Sequence, residues 1–320
     1  MALLNSDIIY NIFAAIENEQ SIPMIAEVND EWKETLLNVL KEKNALSALL
    51  VASNGGFNGH FCHHATRRFP ELHFPLGNPS CEQLNNLKVL EIQGGHYEMP
   101  ACMEELEKEP EYYNNNQKMV FQELEVFNLQ ESLDCLADSI EPQFESVTLE
   151  SCDFSDGFSD GFLMESLKSP RLKNLSVEST TLTQNVEAEI INFMGKNEWE
   201  NVFIQPDDDY KHEHFYEQLE QTIFKTMLAW KSHPNPQMKS AFFGVRNDEG
   251  WFDLLDNLKD LGTWKIDGTD RASIVIDIQH DEYEELCASI SLDRSRMKHR
   301  DFGIVTTGQS SLQIHVYNYY

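Results

Sequence analysis

FESVTLESCDF (144–154) decides how the middle of the chain is read. Phe144, Val147 and Leu149 form an apolar-x-x-apolar-x-apolar core, with Ser146, Thr148 and Glu150 between and after them. Alternation with a two-residue period is what a strand with one buried face requires. LKNLSVESTTL (172–182) repeats the pattern through Leu172, Leu175 and Val177. Both segments then place a small hydrogen-bonding residue and another apolar one at matching offsets: Cys152 with Phe154, and Thr180 with Leu182.

The same triplet occurs at Leu46-Leu49-Val51, Phe69-Leu72-Phe74, Leu87-Leu90-Ile92, Phe121-Leu124-Val126 and Trp199-Val202-Ile204. Successive starts along the whole series are 23, 18, 34, 23, 28 and 27 residues apart. Most of these intervals resemble the period of leucine-rich repeats, about 20–29 residues. Helix-compatible stretches separate the triplets, such as QESLDCLADS (130–139) and TQNVEAEIINFM (183–194), the latter followed by Gly195. The expected fold is α/β: an N-terminal three-helix module, an irregular leucine-rich-repeat-like solenoid and a β-rich C-terminal region. An ordinary α/β domain with short strands is the alternative.

Residues 1–44 read as helical. Ser6 is placed to cap a helix with Ile8, Ile9, Ile12, Phe13 and Ile16 on one face. Ser21 and Pro23 mark a second start, since proline is tolerated in a first turn. Asp30 is placed to cap a third helix carrying Trp32, Leu36, Leu37 and Leu40. Lys41 and Lys43 suit its negative end, and Asn44 its stop.

Leu4, the run Asp7-Ile8-Ile9-Tyr10-Asn11-Ile12-Phe13, and Val28-x-x-x-Trp32 together resemble an F-box. Asn5 stands where that family usually has proline, and Asn29-Asp30-Glu31 is acidic where it is often basic. A helical module ahead of repeats, with a β-rich end, is similar to the expanded nematode F-box families. The resemblance implies a substrate-recognition subunit of a cullin–RING (SCF-type) ubiquitin ligase. Leu4, Ile8, Ile9, Ile12, Phe13, Ile25, Val28 and Trp32 would bind a Skp-type adaptor protein, and the repeats would bind a target protein. The alternative is a protein-binding scaffold whose N-terminal helices only cap the solenoid, with no ubiquitin role.

SHPNPQ (232–237) reads as a linker, with two prolines and no apolar residue. It separates a repeat region, 45–231, from a C-terminal region, 238–320, which is either a further α/β domain or the solenoid's cap. AFFGV (241–245), ASIVIDI (272–278) and the alternating LQIHVYNYY (312–320) are its strand candidates, and WFDLLDNL (251–258) its helix candidate.

The 320 residues carry 24 Lys+Arg against 54 Asp+Glu, a net charge of −30, so nucleic acid and anionic membranes are excluded as expected partners. A hydrophobic content of 41%, with 19 Phe, supplies a core that an acidic disordered chain would lack. No stretch reaches the roughly 20 apolar residues needed to span a bilayer. MALLNSDIIYNIF (1–13) includes Asp7 and no basic n-region, so no signal peptide is expected. Cys62, Cys81, Cys102, Cys135, Cys152 and Cys287 show no paired spacing, as in a reduced cytoplasmic or nuclear protein.

Local motifs give no chemistry. His60, Cys62, His63 and His64 crowd one short run, and no second ligand pair follows at zinc-site spacing; His212 and His214 are remote. DFSDGFSDG (153–161) supplies Asp153, Asp156 and Asp160 without the glutamate that closes a calcium loop, and Asp207-Asp208-Asp209 reads as a turn. SNGGFNGH (53–60) lacks the Gly-Lys-Ser/Thr ending of a phosphate loop. The expectation is a non-enzymatic protein with no cofactor and no metal, and a target of basic character.

Overall fold

The computed structural model describes residues 24–25, 27–42, 45–53, 56–64, 87–94, 118–154, 160–196, 198–205, 213–233, 240–245, 260, 262–267, 273–279, 281, 287–297, 300–307 and 311–319. Two compact units share the chain: one comprises 1–125 and 135–141, the other 126–134 and 142–320.

In the first unit, helix α1 (Asp30–Glu42) starts at Asn29 rather than Asp30, because the Asn29 Oδ1 accepts the Trp32 amide at 2.9 Å. Leu36 and Val39, three residues apart, are buried. Strand β1 (Leu46–Ser53) turns back antiparallel on β2 (Gly56–His63) and runs parallel to β3 (Leu87–Gln93). Gly59 is required at that hairpin: a Cβ there would meet the Leu49 carbonyl oxygen at 2.2 Å. Strand β4 (Phe121–Phe127) begins in this unit, with Phe121 and Leu124 fully buried.

In the second unit, β5 (Ser146–Glu150), β6 (Asn174–Glu178), β7 (Asn201–Gln205) and β8 (Ser240–Val245) run parallel in unbroken register. Val147, Leu175, Val202 and Ala241 form one buried row across them. Leu149, Val177 and Ile204 form the next. The crossovers are α2 (Gly161–Lys168), α3 (Gln184–Gly195) and α4 (Glu213–Lys231), with α3 packed on both others.

Each helix shows why it forms. In α3, Thr183 caps the Val186 amide, and Val186, Ile190, Phe193 and Met194 are buried at i, i+4, i+7 and i+8. In α4 the buried stripe is Phe215, Leu219, Ile223, Met227 and Trp230. Helix α2 receives no capping bond from its own Asp160; Asp134 Oδ1 accepts the Phe162 amide at 2.8 Å instead. Phe162 then meets Phe144 edge to face, ring centres 6.2 Å apart.

The C-terminal strands are β9 (Thr263–Asp267), β10 (Ser273–Gln279), β11 (Cys287–Met297), β12 (Arg300–Thr307) and β13 (Ser311–Tyr319). Beyond β8 the order is β12-β13-β11-β10-β9, antiparallel except for β11 with β13.

These pairings correct the expected architecture. The fold is mixed α/β with a mostly parallel sheet and few helices; among the described residues there is neither a three-helix N-terminal module nor a leucine-rich-repeat solenoid. A solenoid stacks each unit on its neighbours alone. Here β1 folds back on β2, and β8 leaves the parallel set to pair antiparallel with the distant β12. QESLDCLADS contributes only a short 3-10 turn, Asp134–Asp138, instead of a crossover helix. The Phe69-Leu72-Phe74 triplet, most of SHPNPQ and the WFDLLDNL helix candidate lie outside the described residues.

Candidate interaction faces

The strands β5–β7 place Val147, Leu149, Leu175, Val177, Val202 and Ile204 on one side, so alternation delivers the others, polar except for Phe203, to the opposite face. Across the register this face carries three rows. Ser146 lies opposite Asn174 and Asn174 opposite Asn201; Thr148 lies opposite Ser176 and Ser176 opposite Phe203; Glu150 lies opposite Glu178 and Glu178 opposite Gln205. Asn201 Nδ2 donates to Asn174 Oδ1 at 2.6 Å. All nine residues are half-buried or exposed.

The strand exits have a repeated construction. Asn128, Ser151 and Ser179 follow β4, β5 and β6 with φ of 53°, 55° and 46°. That left-handed conformation is uncommon for residues other than glycine. Each amide donates to the last carbonyl of the next strand: Asn128 to Glu150 at 2.9 Å, Ser151 to Glu178 at 2.9 Å and Ser179 to Gln205 at 2.7 Å. One residue further on, Cys152 and Thr180 turn inward and are buried. Burial pushes the Cys152 thiol up to about 11, so it serves packing rather than nucleophilic chemistry.

Of the adaptor-binding residues expected from sequence, Leu4, Ile8, Ile9, Ile12 and Phe13 lie outside the described residues. Ile25 and Trp32 are half-buried, and Val28 is 53% exposed. Met24, absent from the expected set, is 70% exposed. Its position four residues before Val28 was the available signal. Glu150 and Glu178 were likewise missed as a pair, although each directly follows the last apolar residue of its triplet.

The histidine run has a packing role. Cys62 and His63 are buried in β2. The Ser47 hydroxyl lies 3.0 Å from His64 Nδ1 and accepts the Val89 amide at 3.3 Å, tying β1 to β3. Asp153 makes a bridge with Thr181, and Asp160 accepts a hydrogen bond from the Thr183 hydroxyl. His214 is exposed on α4, while Asp156, Asp207, Asp208, Asp209 and His212 lie outside the described residues. Among the described residues no group of three or more potential ligands could hold a metal ion, and no helix is long and apolar enough to cross a membrane.

No protein-family model matches the chain, and neither the curated proteins nor the solved structures give a significant match.

Proposed function

We propose that this chain is a substrate-recognition subunit of a cullin–RING ubiquitin ligase, acting in the cytoplasm or nucleus without catalytic chemistry of its own. Its N-terminal segment binds a Skp-type adaptor, and the polar face of β5–β7 holds the target protein. The observation that carries the adaptor half is the exposure of Met24 and Val28 immediately ahead of α1, while Leu36 and Val39 anchor that helix. Apolar side chains held at the surface beside an anchored helix suit a partner's apolar groove. The F-box resemblance supplies the partner's identity.

Burial of Leu36 and Val39 also favours a second reading, in which α1 is a structural element of a protein-binding scaffold with no ubiquitin role. Co-purification separates the two. Wild-type chain should retain a Skp-type adaptor at micromolar concentration, and Val28→Asp should release it. Failure of the wild type to retain any adaptor leaves the scaffold reading.

A further inference from the structure

Among the described residues, charge is balanced where β5–β7 begin and unbalanced where they end. At the start, Arg171 pairs with Glu145 at 2.5 Å and Lys173 with Glu200 at 2.9 Å. The acids that lead into β5 and β7 therefore meet cations from the segment that leads into β6. At the far end Glu150 and Glu178 lie at opposed register positions, and Gln205 continues their row. Among the described residues no lysine, arginine or histidine forms an ion pair with either glutamate.

Like charges directly opposite on adjacent strands destabilise a sheet. Burial, and then the neighbouring Glu150, push the Glu178 carboxyl above its usual range, as fits a carboxylate facing another acid. Next along the strands come the hydroxyls of Thr148 and Ser176 beside the Phe203 ring, then Ser146 with the amides of Asn174 and Asn201. An extended chain laid along the strands presents same-side residues about every 6.7 Å, the spacing at which these rows recur.

We propose that this sheet face receives an extended basic segment of a partner protein, with a lysine or arginine head group set between Glu150 and Glu178 and the following same-side residues on the hydroxyl and amide rows. This rests on the target-binding half of the function proposed above and stands without the adaptor half. Charge complementarity selects the occupant: the cation supplies the partner that Glu150 and Glu178 lack among the described residues, and a net charge of −30 repels phosphate-bearing competitors.

The test titrates the full chain with a fluorescent synthetic peptide alternating lysine with serine, and with its glutamate–serine counterpart. Two double variants accompany the wild type. E150Q/E178Q removes the proposed anchor, and E165Q/E217Q removes the same charge from exposed helix positions. The lysine–serine peptide should bind and the glutamate–serine peptide should not. E150Q/E178Q should weaken binding about tenfold, the sum of two modest ion pairs, with unchanged circular dichroism. E165Q/E217Q should bind like the wild type. Equal weakening in both double variants, or no binding of the lysine–serine peptide, overturns the proposal. Adaptor co-purification is read on the same proteins and should survive E150Q/E178Q, so the two halves fail separately.

Discussion

Thr180 joins two neighbouring strand exits: its hydroxyl accepts the Cys152 amide at 3.2 Å while donating to its own segment's Glu178 carbonyl at 2.8 Å. Both Thr180 and Cys152 are buried, so the Cys152 amide depends on this hydroxyl rather than on water. The Cys152 thiol donates in turn to the carbonyls of Val126 and Glu150. A short polar ladder thus fixes the rim on which Glu150 and Glu178 are displayed.

Thr180→Val keeps the shape and removes the hydroxyl, stranding the buried Cys152 amide and leaving the Glu178 carbonyl with the Ser151 amide alone. Stability should fall by about 2 kcal/mol, with Thr180→Ser close to wild type. Urea unfolding checks this, and equal midpoints for the valine and serine variants would refute the ladder's role.

Glu178 gives a pH-dependent prediction. Its folded carboxyl is raised above the ordinary 4.5, so the folded chain binds the proton more tightly than the unfolded one. Stability therefore falls as pH rises through the interval just above the ordinary value, and the cost is absent below that interval. Glu178→Gln should stabilise by about 0.5 kcal/mol at neutral pH. The gain should vanish in acid; a gain of constant size across the pH series would contradict the assignment to charge.

Thiol labelling distinguishes Cys135, which is exposed, from Cys152, which is buried with its thiol pushed up to about 11. Iodoacetamide at about pH 8 should alkylate Cys135 in the native chain and leave Cys152 unmodified until denaturant is added. Peptide mass spectrometry reads both sites. Native-state labelling of Cys152 at the rate of Cys135 would show that the strand exits open readily.

Trp199 is fully buried, and its indole N–H donates to the Met194 carbonyl at 3.0 Å in the last turn of α3. Trp199→Phe leaves that carbonyl without its indole donor and opens a small void. A loss of about 2 kcal/mol or more is expected in thermal or urea unfolding. A variant as stable as the wild type would mean that water replaces the indole.

The apolar triplets led to strands wherever they fall on described residues: β1, β3, β4, β5, β6 and β7 each contain theirs in whole or in their last two members. The helix-compatible stretch 183–194 likewise became α3, with Thr183 as its N-cap, Gly195 as its last helical residue and Lys196 as its C-cap. What the triplets could not reveal was architecture. Val147-x-Leu149 reports a strand with a buried face, and that requirement is the same in a solenoid and in an ordinary mostly parallel sheet. The antiparallel pairing of β8 with β12 joins segments more than fifty residues apart and leaves no local signal. The Glu150–Glu178 juxtaposition was hidden for the same reason: both residues were visible, but register alone makes them neighbours.

The adaptor claim is tested most directly by calorimetric titration of the purified full chain with a purified Skp-type adaptor, wild type beside Val28→Asp. The wild type should bind with micromolar or tighter affinity, and charging the exposed Val28 should cost about 2 kcal/mol or more. Absence of wild-type binding, or equal affinity for both proteins, would contradict the adaptor claim.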